Sequence, residues 1–207
     1  VIITVMDFTS PLKPHTEGIN QKTMTVRLVQ ANVGNFLKLN SESGDFVSLK
    51  KIINKYKTLS TSPSQEVDLI VWPETAYPYT QDPRVLGVGP EMTPEVFKEI
   101  MGKMEADFVT GGYAINHRKL KKPPPFPSYE TSFNTMFHFR QDQNLGQVYY
   151  KQKLLAFGET MPFGALNPYI AKLSPNTSFF ARGSDFPLFR TTQGFNFTAS
   201  ICYELFF

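Results

Sequence analysis

The sequence predicts an α/β or α+β fold in which helices cover a mixed sheet and two sheets pack face to face. Three observations predict it. Early segments alternate β-branched runs with stretches of helical period, as crossover connections require. Later segments are strand-like one after another, as in hairpins. Between them "VDLIVWPE", residues 67–74, is apolar until a proline closes it, which fits a strand buried on both faces.

Taken in order, "TVRLVQAN" (residues 25–32) is a β-branched strand. In "DFVSLKKIINKYKTL" the residues Phe46, Leu49, Ile52, Ile53 and Tyr56 fall at helical spacing with polar residues between them, giving an amphipathic helix. After the buried strand, "TPEVFKEIMGKMEA" offers Thr93 as a cap and Pro94 at the first helical position, and gathers Val96, Phe97, Ile100, Met101 and Met104 on one side. Strands follow at residues 108–115, at 132–140, where Phe133, Thr135, Phe137 and Phe139 alternate, and near 147–151. The last strand, "FNFTASIC", sends Phe195, Phe197, Ala199 and Ile201 to one face and Asn196, Thr198, Ser200 and Cys202 to the other. Residues 77–92 and 163–185 have no period, and loops of that length are usually functional covers or disordered.

Composition narrows the classes. A chain of 207 residues supports one domain with a core that needs no staples. The formal net charge of +3 is too mild for a nucleic-acid surface, and the basic cluster "HRKLKKPPP" runs into prolines and reads as a solvated loop. The single cysteine excludes an internal disulfide. No apolar run approaches the roughly 18–20 residues that cross a bilayer. His15, His117 and His138 lack metal-ligand spacing and no glycine pattern cradles phosphate, so no metal or other cofactor is expected. The chain opens on apolar residues and stops at "LFF", from which a piece of a longer protein is expected.

Five positions carry candidate chemistry. Glu74 ends the buried strand between Pro73 and Thr75, where an ionised carboxylate is costly unless paired or used, so it is either a turn cap or a general base. Cys202 lies on the more polar face of its strand; a thiol needs a base, a cation or a helix N-terminus to supply thiolate, and most lone cysteines are inert packing. Lys151 and Lys153 share one face by parity, and each alone is an ordinary strand-end lysine. Glu159, in a Phe-Gly-Glu turn, is an ordinary turn acid when taken alone.

In combination these positions say more. A carboxylate after "LIVWPE", a lysine after "VYYK" and a cysteine after "FTASIC", in that order, resemble the Glu-Lys-Cys triad of the nitrilase (carbon–nitrogen hydrolase) superfamily. Within it, "WPET", "YKQKLLAFGE" and "ICYE" are most similar to the apolipoprotein N-acyltransferase branch. The resemblance implies an αββα sandwich, with Glu74 as general base, Cys202 as nucleophile and Lys151 as catalytic lysine, because Lys151 stands eight residues before Glu159. Lys153 falls on a variable position. Glu159 and Glu204 match supporting acids, and Tyr203 matches the residue after the nucleophile. Two departures from the branch are Ala156, where proline is usual, and "LKLN" at residues 37–40, where a tryptophan is often found.

The implied reaction moves a fatty acyl chain from a phospholipid, through a thioester on Cys202, to the N-terminal amine of a diacylglyceryl apolipoprotein. Lys151 and the backbone N–H after Cys202 would stabilise the oxyanion. The two long loops, rich in Tyr and Phe, would keep water from the thioester. The implied location is the bacterial inner membrane, with the catalytic region on the periplasmic face. Residues 1–24 would be a flank from a preceding membrane region, and 25–207 a catalytic domain lacking its C-terminal part. A soluble amidase or nitrilase with the same triad is the alternative, separable by flanking membrane spans. A catalytically silent binding domain is a third reading, separable by thiol-directed labelling of Cys202.

Overall fold

The computed structural model describes residues 2–5, 23–42, 44–62, 66–117, 130–173 and 178–206. The basic cluster beyond His117, His15 and most of the 1–24 flank lie outside the described residues. Among the described residues the strands are β1 (Ile2–Val5), β2 (Val26–Leu28), β3 (Leu69–Val71), β4 (Thr80–Gln81), β5 (Asp107–Ile115), β6 (Ser132–Phe139), β7 (Leu145–Tyr150), β8 (Phe189–Arg190) and β9 (Asn196–Ser200). The α-helices are α1 (Asn35–Glu42), α2 (Phe46–Ser60), α3 (Pro83–Leu86), α4 (Glu95–Met104) and α5 (Asn167–Leu173).

Two sheets result. One runs β2-β3-β5-β6-β7, with β4 also on β5; β2, β3 and β5 are parallel, and β5, β6 and β7 antiparallel. The parallel pairs are joined by α2 and α4, as crossover geometry demands. The other sheet runs β1-β9-β8 and is antiparallel.

Because side chains alternate along a strand, β3 feeds two cores at once. Ile70 and Trp72 pack with Tyr56, Phe97, Ile100 and Phe108 under α2 and α4, whereas Leu69 and Val71 join Val109, Met136, Phe189 and Phe197 between the sheets. Trp72 is fully buried, stacks on Tyr56 at 4.7 Å, meets Phe108 edge-on at 5.0 Å, and donates its indole N–H to Ser60 Oγ at 2.7 Å. Truncating such a residue typically costs about 3–5 kcal/mol, so the strand that delivers Glu74 is stiffly held.

A second anchor joins the sheets at the opposite end. Buried Asp107, which opens β5, accepts hydrogen bonds from His138 Nε2 (3.0 Å), Gln141 N (2.9 Å), Thr192 N (2.8 Å) and Thr192 Oγ1 (2.6 Å). Burial alone would raise its carboxyl, but the bonds from His138 and Thr192 outweigh that and hold it below the usual carboxylate range. The β8–β9 turn is thereby tied to β5 and β6.

Several expectations shift in detail. The strand expected at 25–32 is regular only over Val26–Leu28. Helix α4 begins at Glu95 with Pro94 as its extended cap residue, and Thr93 donates its hydroxyl to Gln143 O at 2.7 Å instead of capping. The helix starts one residue later than expected, so Pro94 takes the cap position and Thr93 lies one residue outside it. Phe46, the first residue of α2, is 76% exposed while Leu49, Ile52 and Tyr56 are buried; Asp45 caps that end through Val47 N and Ser48 N. The stretch 77–92 is built rather than open: Tyr77 packs on Phe97 at 4.6 Å, Leu86 is buried, and Asp82 caps α3.

Candidate active site

The strand ends on one rim converge on Lys151. The chain leaves β7 with Lys151 N donating to Asn134 O at 2.9 Å, and the side chain turns inward until the residue is only 1% exposed. Its ammonium donates to Glu159 Oε1 at 2.9 Å and to Glu74 Oε1 at 3.4 Å. Burial pushes this lysine down, yet the Glu159 hydrogen bond and the charges of Glu74, Glu159 and Cys202 outweigh it and hold the ammonium above its ordinary range. Lys151 therefore stays charged.

Glu74 reaches this point on a turn after Trp72 and Pro73. Gly111 makes room for the turn: a Cβ there would stand 2.6 Å from Glu74 Cα and 2.6 Å from Pro73 O. Gly111 N in turn donates to Pro73 O at 3.2 Å, and Thr75 takes a left-handed φ of 50°. Glu159 is fixed by its own turn, with Leu155 N donating to its Oε2 at 2.9 Å and its own N–H donating to Leu155 O at 2.9 Å. The segment after that turn leaves and comes back to the same place. Ser178 N donates to Gly158 O at 3.2 Å, Phe180 N to Glu159 O at 2.9 Å and Gly183 N to Lys151 O at 2.9 Å. Gly183 sits so close to β7 that a Cβ would lie 2.1 Å from Tyr150 O.

Cys202 follows β9, where the strand breaks into the single-turn helix Cys202–Phe206. Its φ of 55° is left-handed, a conformation that typically costs about 1–3 kcal/mol for a residue with a side chain and persists only when neighbours enforce it. Glu204 is such a neighbour. Its Oε2 accepts from Ile201 N at 2.8 Å, and its Oε1 accepts from Tyr149 OH (2.7 Å), Gln152 N (2.6 Å) and Lys153 N (2.9 Å). One carboxylate thus stitches the cysteine's turn to the strand end that carries Lys151. Buried Tyr149 has its hydroxyl pushed well above the usual range, by burial first and then by the bond to Glu204 and its charge. The Cys202 side chain stays exposed.

The structure thus brings Glu74, Lys151 and Glu159 into direct contact and sets Cys202 and Glu204 beside them. Tyr203 is 44% exposed with its ring 5.5 Å from Phe206, and Lys153 is exposed. Sequence reasoning missed Asn134. Its Nδ2 donates to Glu74 Oε1 at 2.7 Å and to Glu159 Oε1 at 3.0 Å, bridging the two carboxylates, while its Oδ1 is buried with no partner. Tyr149 and helix α1 were missed as well.

A buried ammonium between carboxylates, beside an exposed thiol on a strained turn, is suited to covalent acyl chemistry. The carbon-nitrogen hydrolase family model matches residues 25–207. An apolipoprotein N-acyltransferase of Bdellovibrio bacteriovorus is 31% identical over 185 residues, covering 86% of this chain and 32% of that protein. One from Pseudomonas aeruginosa is 30% identical over 193 residues, covering 92% and 33%. The chain thus spans about a third of the length of these curated relatives. Among solved structures, an amidase of Nesterenkonia sp. AN1 superposes with a TM-score of 0.49 at 13% identity, covering 96% of this chain and 60% of that one. Saccharomyces cerevisiae Nit3, a nitrilase-superfamily member, gives 0.48 at 14% identity, covering 77% and 52%.

Proposed function

Because the chain belongs to the carbon–nitrogen hydrolase family, we propose that it is the catalytic region of an N-acyltransferase. It takes a fatty acyl chain from a phospholipid and delivers it to the α-amine of a diacylglyceryl apolipoprotein. Residues 25–207 form that region and 1–24 flank it, at the periplasmic face of a bacterial inner membrane. The observation that carries the reading is the buried Lys151 held between Glu74 and Glu159.

In the first half-reaction Glu74 takes the Sγ proton of Cys202 and the thiolate attacks the ester carbonyl carbon. The carbonyl electron pair moves to oxygen, where the Lys151 ammonium offsets its charge; such fixed donors are typically worth about 3–4 kcal/mol. Collapse breaks the C–O bond, and the departing lysophospholipid alkoxide takes the proton from Glu74. In the second half the neutral amine attacks the thioester, Glu74 accepts the amine proton, the C–S bond breaks, and the proton returns to sulfur. Glu159 and Asn134 hold Lys151 and Glu74 in place throughout, and Glu204 holds the turn of Cys202.

Exposed apolar side chains at Phe157, Phe163, Leu166, Tyr169 and Leu173 follow Lys151 in the chain and favour a lipid donor over a small amide. The test is incubation of the full-length protein with phospholipid alone. A hydroxylamine-sensitive adduct of one fatty acyl mass on Cys202 is expected, lost in Cys202→Ser and in Glu74→Gln. Acceptor acylation by a protein that never carries the adduct would refute the scheme.

A further inference from the structure

A cavity of about 140 Å³ opens beside the Glu74 turn, on the side bounded by α1 and the loop after β2. Asn32, Lys38, Ser41, Thr75 and Tyr113 line it together with Glu74. It holds the volume of roughly four or five waters at ~30 Å³ each. Lys38 is the cation here. Its ammonium is half-buried and donates to the neutral Thr75 Oγ1 at 2.7 Å, and among the described residues no carboxylate forms an ion pair with it. The Glu74 carboxylate on the same wall is partly offset by the Lys151 ammonium, which it shares with Glu159. A desolvated ammonium with a neutral partner, ringed by hydroxyl and amide groups, is matched by an anion that accepts several hydrogen bonds.

We propose that this cavity binds a phosphate ester through Lys38, and that under the acyl-transfer reading above, on which this rests, the ester is the headgroup phosphate of the donor phospholipid. The geometry supplies the link. Glu74 belongs both to the cavity wall and to the Lys151 cluster, so the cavity adjoins the reacting centre. In a glycerophospholipid the phosphate stands only a few bonds from the ester carbonyls. A headgroup seated at Lys38 would therefore hold an ester near Cys202, converting charge recognition into orientation of the acyl group. Lys38 is a specificity-determining residue in this scheme, since it touches the part of the donor that does not react.

The experiment measures acylation of Cys202 in the full-length protein, in mixed micelles, by phosphatidylglycerol and by an uncharged p-nitrophenyl acyl ester, and compares the two rate constants as a ratio. Lys38→Met is expected to lower that ratio about tenfold or more, and Lys38→Arg to restore most of it, since a charge-assisted bond to phosphate is lost and regained. Glycerol 3-phosphate should compete with the phospholipid in the wild type and far less in Lys38→Met. An equal loss on both donors would mean that Lys38 merely braces the Glu74 turn and would overturn the proposal, as would an unchanged ratio. Competition by inorganic phosphate with an unchanged donor ratio would reassign the site to free phosphate and overturn the lipid assignment. Acylation by neither ester would defeat the acyl-transfer reading itself, an outcome distinct from all of these.

Discussion

Substituting Asp107 by Asn should loosen the β8–β9 turn without touching the candidate active site. The carboxylate accepts from His138, Gln141 N and twice from Thr192. An Asn of the same shape keeps one oxygen for Thr192 Oγ1 and Gln141 N, and must turn its NH₂ toward Thr192 N–H and His138 Nε2; the imidazole can switch tautomer and accept, but the bond to Thr192 N–H becomes a clash between donors. Losing a bond to a charged acceptor costs about 1.5–3 kcal/mol, and leaving the Thr192 N–H unsatisfied adds to it, for a total of about 3 kcal/mol. That corresponds to roughly a hundredfold faster local opening, readable as amide hydrogen exchange over residues 189–196. The pH dependence has a definite sign. The folded carboxyl is depressed relative to its ordinary value of 3.8, so its contribution is fully present above about pH 4–5 and fades as pH falls through the folded value. Wild type should therefore exceed Asp107→Asn by a constant margin from about pH 5 to 8, narrowing below pH 4. Exchange rates within threefold of each other at neutral pH, or a margin that widens in acid, would refute the reasoning.

Other substitutions probe the site itself. Lys151→Ala should lower the Cys202 acylation rate by about 10²–10³ through loss of the oxyanion's cation, whereas Lys153→Ala should stay within about threefold; the reverse order would mean that the wrong lysine has been assigned. Gly111→Ala places a methyl 2.6 Å from Glu74 Cα, and the shift it forces on the turn should slow acylation about a hundredfold, as checked by adduct mass against time. Asn134→Ala frees both carboxylates from their bridge and should cost about tenfold or more in the same assay, with Asn134→Gln unable to restore it. In Glu204→Gln the NH₂ must face Ile201 N–H, so a melting experiment should register a loss of about 1.5–3 kcal/mol, against about 1 kcal/mol for Tyr149→Phe.

Much of this was legible in the chain because periodicity and punctuation agreed. The apolar run before Pro73, the helical spacing within α2 and α4 and the alternation of the later strands placed most of the larger sheet, its helices and β9, but not β1, β4 or β8. The family resemblance, through the separation of Lys151 from Glu159, singled out one of two lysines on one face. Asn134 could not be read the same way: its bridge to Glu74 depends on the β5–β6–β7 register and on how two turns stack above it, and one polar residue in a strand carries no trace of that. Helix α1 is only eight residues long, too short for its apolar period to stand out. Thr93 looked like a cap because local rules favour that, and only the fold shows that the helix begins at Glu95 and that the Thr93 hydroxyl donates to the distant carbonyl of Gln143. Asp107 was invisible because its donors come from three separate segments.

The excursion after the Glu159 turn starts and finishes at the backbone of the same few residues, through Gly158, Glu159 and the carbonyl of Lys151. Anchored so, its two ends are fixed independently of the stretch between them. Doubling the length of a closed loop adds only about 0.6 kcal/mol of closure cost. Its tip can therefore be exchanged, lengthened or given other apolar side chains while Lys151 and Glu159 keep their spacing. The segment is a replaceable cartridge on a fixed mount, and grafting the corresponding tip of a relative should change which acyl chains are accepted before it changes the rate of any chemical step.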